Sequence, residues 1–371
     1  MGKNILLLND RLTGGGAEQI LQQIAADLVQ RGHRVTIWSP EGNREQLAQR
    51  YGAAVRWRRW PLWTADKERW SAGWILQKAV QTVMECFVFR LRRWDAVAAM
   101  KEGPCMRRAG RLRAKRKLAW VHTDYQTLHW TVWSFRSDEH ELRCMQGFDR
   151  VVCVSDAVRR SVIAVVGDPG NLCVRENPID CAAIRRKAAE ETPDALPPGD
   201  RPLLVAVGRL HAGKRFDLLL DVCRELARER RFALWIVGGG EEEAALRRQI
   251  EDGGLDFARL VGQRDNPYPY IAAADWLVSA SESESYGLTV QEAQILGVPV
   301  LACACPAIAE SLDERCGRLV GLGRDELRDG LREILDHPEL GAAAREGIRA
   351  HYDAEALGAP RLNAIRELFE E

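Results

Sequence analysis

Short apolar runs alternate with longer stretches of helical periodicity along almost the whole chain. The first run, Asn4–Leu8, leads through Gly14–Gly16 into apolar residues spaced three and four positions apart between Ala17 and Leu28. A short apolar run is typical of a buried strand, and the three-and-four spacing is typical of a helix. Together with a second strand at Arg34–Trp38, this pattern predicts the opening of a Rossmann-like half.

The same alternation continues to the C-terminus and predicts an α/β fold. Further strands are predicted at Ala53–Trp57, Ala96–Ala99, Leu118–Val121, Arg150–Val154, Leu172–Arg175, Leu203–Val207, Ala233–Val237, Arg259–Val261, Trp276–Val278, Val298–Ala302 and Arg318–Val320. Helices are predicted at Glu68–Leu91, Cys181–Ala189, Phe216–Arg228, Glu241–Glu251, Tyr268–Ala274, after Gly287, and at Asp325–Leu335, Leu340–Tyr352 and Ala354–Phe369.

A chain of 371 residues exceeds one ordinary hydrophobic core, so two domains are expected. The proline-containing break Glu176–Asp180 is interpreted as the hinge. We therefore predict an N-terminal domain at 1–178 and a C-terminal domain at 179–352. Residues 353–371 are predicted to form a last helix that can pack back on the N-terminal domain.

The charge is unevenly distributed, although Lys+Arg and Asp+Glu each total 53. Arg56–Lys117 holds 17 basic residues against 5 acidic ones, and 10 of the 12 tryptophans lie in the N-terminal half. A basic, tryptophan-rich face suits an anionic membrane surface, but a solvated surface over scattered core tryptophans gives the same pattern. Nucleic acid is not expected as a partner, because no recognised binding motif accompanies the charge.

The cysteines and the N-terminus favour a reducing compartment. None of the ten cysteines forms a CxxC pair, which argues against a zinc site and a disulfide framework. The N-terminus leads directly into a strand pattern, and Lys78 and Glu85 interrupt the longest apolar region, Ala72–Leu91. We expect a cytoplasmic protein that can bind the inner face of the cell membrane peripherally.

Two cations follow a predicted strand in the C-terminal half. Arg209 comes directly after Leu203–Val207 and Gly208, and Lys214 stands just before the next helix. A bidentate guanidinium and a point-like ammonium at the carboxyl edge of a sheet can together bind a diphosphate. The alternative is a surface loop with ordinary charges.

Two glutamates flank the start of another predicted helix, Glu284 in the preceding loop and Glu292 inside the helix. A carboxylate near a phosphate site is unfavourable unless hydroxyl groups donate hydrogen bonds to it, and a ribose diol supplies two such donors. Glu292 therefore fits a ribose and Glu284 a hydroxyl-rich group. The acid/base pair of a glycosidase is the competing interpretation, which would leave Arg209 and Lys214 without a task.

These motifs together resemble the GT4 family of retaining glycosyltransferases over nearly the whole chain. They are GGGAE at Gly14–Glu18, VGRL with Lys214, VGGG at Val237–Gly240, and the two glutamates followed by Gly297-Val298-Pro299. The resemblance implies a GT-B fold, with two facing Rossmann-like domains and an active site in the cleft between them. It also implies an acceptor-binding N-terminal domain and a C-terminal domain that binds the nucleotide sugar.

The resemblance implies a role for each matching residue. Arg209 and Lys214 would bind the donor diphosphate, Glu292 the ribose and Glu284 the transferred sugar, while Gly15 and Gly16 would bring backbone N–H groups to the donor. His122, at the end of a predicted strand, would hydrogen-bond the donor sugar and stabilise the developing oxocarbenium charge. Asp124 would contact the acceptor hydroxyl. Cys305-Pro306-Ala307 stands where the family often has a Gly-Gly pair, so backbone contacts to the sugar are not carried over there.

The expected activity is retaining transfer of a hexose from a nucleotide sugar, a UDP-sugar, to a lipid-linked or cell-surface glycan. No cofactor and no metal are expected, because the sequence has no Asp-x-Asp motif and the cations with a helix dipole would neutralise the leaving diphosphate. Two alternatives remain open, a GT-B-like UDP-sugar 2-epimerase and a non-catalytic sugar-nucleotide-binding partner of another transferase.

Overall fold

The structure is a computed structural model that describes residues 2–10, 12, 16–40, 48, 51–52, 54–59, 93–191, 194 and 199–371. The chain divides into two compact units. The first comprises Met1–Pro178 with Ala359–Glu371, and the second comprises Ile179–Gly358. The helix predicted at Glu68–Leu91 lies outside the described residues.

A parallel sheet forms the centre of the first unit. Its described strands are β1 (Asn4–Leu8), β2 (Arg34–Ser39), β3 (Arg56–Arg59), β4 (Trp94–Ala99), β5 (Ala114–Val121), β6 (Arg150–Cys153) and β7 (Leu172–Val174). They lie in the order β3-β2-β1-β4-β5-β6-β7, and each adjacent pair is parallel. The accompanying described helices are α1 (Gly16–Gln30), α2 (Pro104–Ala109), α3 (Asp138–Gln146) and α4 (Asp156–Val166), with a 3-10 helix at Trp130–Trp133.

The second unit repeats this architecture. Its described strands are β8 (Leu203–Val207), β9 (Ala233–Val237), β10 (Ala258–Gly262), β11 (Trp276–Ser279), β12 (Val300–Cys303) and β13 (Gly317–Val320), in the parallel order β10-β9-β8-β11-β12-β13. Its described helices are α5 (Cys181–Ala188), α6 (Phe216–Leu226), α7 (Glu243–Asp252), α8 (Tyr268–Ala272), α9 (Leu288–Ile295), α10 (Pro306–Ser311), α11 (Arg324–Asp336) and α12 (Pro338–His351). Short 3-10 helices lie at Ala212–Lys214 and Glu355–Leu357.

The central strands are buried because helices cover the sheets. The side chains of Ile5–Leu8 in β1 and Leu204–Ala206 in β8 are all 0% exposed. Strands buried on both faces read as continuous apolar runs, which is why these two were visible in the sequence. The predicted α/β class is confirmed.

The last helix, α13 (Ala359–Glu370), belongs to the first unit. Phe369 is fully buried and its ring stacks on Trp120 with centroids 5.9 Å apart. The Lys3 Nζ donates to the Phe369 carbonyl at 2.8 Å, and Arg366 pairs with Asp27 at 3.1 Å. The C-terminal tail therefore contributes to the core built by the first residues of the chain.

The third strand is displaced along the chain from its sequence prediction. The run Ala53–Trp57 predicts the third strand, whereas β3 spans Arg56–Arg59 and pairs with Thr36–Ser39 of β2. In the described sheet β3 lies at the edge. Main-chain pairing with β2 sets its limits, so an apolar run is a poor guide to them.

The order of strands reverses once in each sheet. The reversal lies between β1 and β4 in the first sheet and between β8 and β11 in the second. Open parallel sheets bind ligands in the crevice outside the carboxyl ends of the strands at this point. The loops that follow these four strands hold most of the candidate site residues, while His122 and Asp124 follow the neighbouring strand β5.

Candidate active site

Glycines allow the loops after β8 and β9 to touch. A Cβ atom on Gly238, which has φ +152°, would lie 1.9 Å from the Gly208 carbonyl oxygen, and one on Gly240 would lie 2.3 Å from the Leu210 carbonyl oxygen. The Leu210 N–H donates to the Gly239 carbonyl at 2.9 Å. Only glycine permits this backbone approach, which fixes the loop that carries Arg209.

Lys214 and Glu284 form an ion pair at the switch point of the second sheet, where the strand order reverses between β8 and β11. Lys214 ends the 3-10 helix that follows β8, Glu284 lies in the loop after β11, and the Lys214 Nζ contacts the Glu284 Oε1. Their side chains are only 16% and 14% exposed. The Ser281 hydroxyl donates to the same Oε1 at 2.9 Å, and the Glu282 N–H donates to the Gly213 carbonyl at 3.1 Å. An ion pair and a backbone hydrogen bond thus connect the two loops.

Arg209 is placed differently from Lys214. Its guanidinium is 64% exposed and pairs with the Glu241 carboxylate at 3.3 Å. An exposed pair of this kind contributes little to stability, so the side chain can exchange Glu241 for another anion at small cost.

Glu292 is a buried carboxyl group in α9. This helix begins after Gly287, whose φ is +73° and whose Cβ would lie 2.3 Å from the Ile308 Cδ1. Glu292 is 7% exposed, and its Oε1 accepts a hydrogen bond from the Tyr268 hydroxyl at 3.2 Å. Burial raises the pKa of Glu292 to about 7, and the Tyr268 hydrogen bond acts in the opposite direction. The group therefore titrates near neutral pH.

Replacing Glu292 with glutamine is expected to remove a pH dependence of stability. The folded state holds the Glu292 proton more tightly than the unfolded chain, where the pKa is near 4.5. The free energy of unfolding should therefore fall as pH rises from about 4.5 to about 7 and level off above that range. Urea unfolding of the wild type and Glu292→Gln across this range measures the difference. The exposed Glu282→Gln serves as control, and identical pH profiles for wild type and Glu292→Gln would contradict the assignment.

In the first unit, His122 follows β5. Burial lowers the pKa of His122, the Glu102 charge opposes this shift, Lys101 adds to it, and a hydrogen bond to the Met100 backbone opposes it. The imidazole is therefore neutral at pH 7. Its Nε2 is buried and has no hydrogen-bond partner among the described residues. With the other ring nitrogen bonded to the backbone, Nε2 is left as an acceptor for a ligand hydroxyl.

Glu102, which no motif singled out, holds the segment around His122. It lies beyond the end of β4, its side chain is 0% exposed, and its Oε2 accepts from the His122 N–H at 3.0 Å. Its Oε1 accepts from the Thr123 hydroxyl and from the Trp130 indole N–H, the latter at 3.0 Å. The buried carboxylate fixes the backbone on which His122 stands.

Asp124 and the glycine loop complete the predicted set. Asp124 is 7% exposed, and its Oδ1 accepts from the Gln126 N–H at 3.0 Å, an Asx-turn contact that shapes the loop. Gly16 is the first residue of α1, where backbone N–H groups lack helical partners. Gly15 lies outside the described residues. Within the described part of the chain, no group of three or more His, Cys, Asp and Glu side chains could hold a metal ion.

Both units match known glycosyltransferase domains. Residues 14–183 match the model described as Glycosyltransferase Family 4, and residues 201–337 match the model described as Glycosyl transferases group 1. The two parallel sheets are shared with structural neighbours that are GT-B glycosyltransferases. The chain belongs to the GT4, or group 1, glycosyltransferase family.

Curated relatives cover a range of sugar transfers. A D-inositol 3-phosphate glycosyltransferase 2 of Catenulispora acidiphila is 31% identical over 55% of this chain and 52% of its own. A GDP-mannose-dependent alpha-(1-6)-phosphatidylinositol monomannoside mannosyltransferase of Mycobacterium tuberculosis is 26% identical over 99% of this chain and 98% of its own. The chain spans about half the length of the first relative.

Solved structures share the fold at low sequence identity. HepE of Anabaena, in complex with UDP and glucose, has a TM-score of 0.75 at 18% identity and is covered completely, as is this chain. WaaG, a glycosyltransferase involved in lipopolysaccharide biosynthesis, has a TM-score of 0.66 at 16% identity, with 98% of this chain and 99% of WaaG covered. At these identities the likeness establishes the fold.

Proposed function

We propose that this protein transfers a hexose from a UDP-sugar to a lipid-linked or cell-surface glycan, with retention of the anomeric configuration and without a metal. The observation that carries the proposal is the contact between Lys214 and Glu284 at the switch point of the second sheet. Family membership supports sugar transfer as the activity. The acceptor class is supported by relatives described as lipopolysaccharide core and phosphatidylinositol mannoside transferases.

The donor diphosphate binds between Arg209 and Lys214 in this proposal. In the structure Arg209 pairs with the Glu241 carboxylate and Lys214 with the Glu284 carboxylate. A diphosphate offers both cations a more highly charged partner, and Glu284 is then available to accept hydrogen bonds from hydroxyl groups of the hexose. The cations stabilise the charge that develops on the leaving diphosphate, so no metal is required.

Glu292 binds the ribose. Its carboxyl group is buried, and the Tyr268 hydroxyl donates a hydrogen bond to it. Ribose hydroxyl groups donate to a charged carboxylate, and such hydrogen bonds contribute roughly 1.5–3 kcal/mol each. No side chain acts as a covalent nucleophile in this scheme, and the acceptor attacks from the face that the diphosphate leaves.

The test is a thermal-shift screen against nucleotide sugars, followed by analysis of the product. The panel includes GDP-mannose beside UDP-sugars, because several relatives are described as GDP-mannose-dependent. A true donor raises the unfolding temperature by binding the native state. With a donor and a glycan acceptor, NMR of the product should show the donor's anomeric configuration, and EDTA should leave the rate unchanged. Conversion of the donor without an acceptor would indicate an epimerase instead.

Replacing Arg209 with alanine is expected to weaken UDP binding roughly tenfold, because a charge-assisted hydrogen bond to phosphate is lost. Isothermal titration calorimetry measures the affinity. Arg247→Ala is the matched control, since Arg247 is 51% exposed and pairs with Glu243 at 3.2 Å in the same unit. Equal affinities of Arg209→Ala and the wild type for UDP would refute the phosphate assignment.

A further inference from the structure

Exposed apolar side chains are concentrated in one short segment of the first unit. Four large hydrophobic side chains are exposed among the described residues, and three of them lie within six positions: Leu128 at 59%, Val132 at 47% and Trp133 at 91%. Single exposed hydrophobic residues are ordinary, whereas a group of them marks an interaction site. No helix among the described residues has the length and apolarity to cross a bilayer.

The segment is held rigidly by the residues between and beside the exposed ones. The Trp130 indole donates to Glu102 at 3.0 Å, and the fully buried Thr131 donates to Glu141 at 2.9 Å. Glu141 is itself 1% exposed. Trp130 and Thr131 are thus fixed on the inner side of the 3-10 helix. Trp133, two positions further on, is presented to solvent by an ordered turn.

Arginines precede and follow this segment along the chain. The Arg107 Nη1 donates to the Ser134 carbonyl at 3.0 Å, directly after the 3-10 helix. Arg111, Arg136 and Arg143 are exposed. The Arg136 N–H donates to the His140 Nδ1 at 3.2 Å. Burial lowers the pKa of His140, and the charges of Arg107, Arg143, Arg136 and Arg111 lower it further.

The exposed acidic groups nearby are fewer. Asp138 and Glu139 lie in the first turn of α3, where the helix dipole stabilises carboxylates. A hydrogen bond with the Ser137 side chain lowers the pKa of Glu139. Glu102 and Glu141 are buried beneath the segment, so the exposed charge consists of two carboxylates against four guanidinium groups and is mainly positive. An exposed indole prefers the water–lipid interface, and arginines near an anionic membrane are attracted to it.

We propose that Leu128, Val132 and Trp133, together with Arg107, Arg111, Arg136 and Arg143, form a docking surface for an anionic lipid bilayer. We call these seven residues the indole–arginine surface. The apolar side chains enter the interfacial layer and the guanidinium groups bind lipid phosphates. Most of this surface lies beyond Arg56–Lys117, the basic region that the sequence pattern favoured for membrane contact. The proposal does not rest on the proposed sugar transfer.

The experiment is co-sedimentation of the full chain with vesicles of phosphatidylcholine and phosphatidylglycerol, and with vesicles of phosphatidylcholine alone. We expect binding to the anionic vesicles that weakens with added salt. Trp133→Ala should reduce the partition coefficient at least tenfold, on the order expected for loss of a buried aromatic side chain. The triple variant Arg111→Gln, Arg136→Gln and Arg143→Gln should reduce it roughly 100-fold, at about fivefold for each arginine.

Matched controls come from the second unit. Leu322→Ser removes the remaining exposed hydrophobic side chain of the described residues, which is 43% exposed. Arg224, Arg247 and Arg349 are each more than half exposed, and their triple replacement by glutamine matches the charge change. Both controls should bind vesicles like the wild type. Equal binding of Trp133→Ala and the wild type would overturn the proposal. So would absence of vesicle binding with concentration-dependent self-association that Trp133→Ala abolishes, which would make this face a contact between copies.

Discussion

Alanine in place of His122 should lower the turnover number for sugar transfer roughly 100- to 1,000-fold, the loss typical of removing one group that stabilises developing charge. The dissociation constant for the donor should stay within about twofold of the wild-type value. The reason is geometric. The His122 Nε2 is buried, lacks a partner among the described residues, and belongs to an imidazole that burial keeps neutral. We expect this nitrogen to accept a sugar hydrogen bond that is strongest when the sugar becomes cationic.

Single-turnover kinetics and donor calorimetry on the same protein separate the two effects, because a group that acts only in the transition state changes the rate and not the affinity. His337→Ala is the control, since His337 is 57% exposed and lies in the second unit at the end of α11. A parallel loss of donor affinity and rate in His122→Ala would assign His122 to ground-state binding. Unchanged turnover would exclude any role in transfer.

The alternating sheet architecture could be predicted because its strongest signals are local. Three strands have the predicted bounds, Asn4–Leu8, Leu203–Val207 and Ala233–Val237. Each is a continuous apolar run that ends at a polar or glycine-containing loop, so burial and turn chemistry agree. Helices α2 and α3 were not predicted. The first is only six residues long, and the second, Asp138–Gln146, is polar with only Glu141 and Met145 buried, so apolar periodicity gave no signal.

The candidate site was visible in its residue types but not in its contacts. Lys214 and Glu284 are 70 positions apart, and their ion pair follows from the neighbouring positions of β8 and β11 in the sheet. Nothing in the sequence shows that two strands separated by β9 and β10 along the chain are adjacent. Tyr268, the hydrogen-bond donor to Glu292, was recognised only as the start of a helix.

Glu102 shows the limit of motif reading most clearly. A single Glu followed by Gly103 matches no motif, and charged side chains are usually exposed. Its side chain is nevertheless 0% exposed, because three donors from the loops around His122 converge on it. This convergence depends on the positions of β4 and β5 as neighbours, and only the folded chain supplies it.

Replacing Glu102 with alanine should lower the free energy of unfolding by about 3 kcal/mol, because buried donors left without an acceptor cost about 1–3 kcal/mol each. The His122 N–H loses its carboxylate partner, while the Trp130 indole keeps a weaker contact with the Thr123 hydroxyl at 3.3 Å. Glu102→Gln should lose less, since its amide oxygen still accepts one hydrogen bond. Urea unfolding measures both variants.

The exposed Glu367→Ala, on α13 of the same unit, should change stability by no more than about 0.5 kcal/mol. A loss in Glu102→Ala no larger than in Glu367→Ala would mean that the buried carboxylate does not stabilise the loop.

The two Glu102 variants also test the link between Glu102 and His122. If Glu102 positions the His122 backbone, Glu102→Gln should fold and yet show a lower turnover number with unchanged donor affinity. The loss of turnover should be smaller than in His122→Ala. A folded Glu102→Gln with full turnover would confine Glu102 to a structural role, because the position of His122 would then be set by β5 and its hydrogen bond to the Met100 backbone alone.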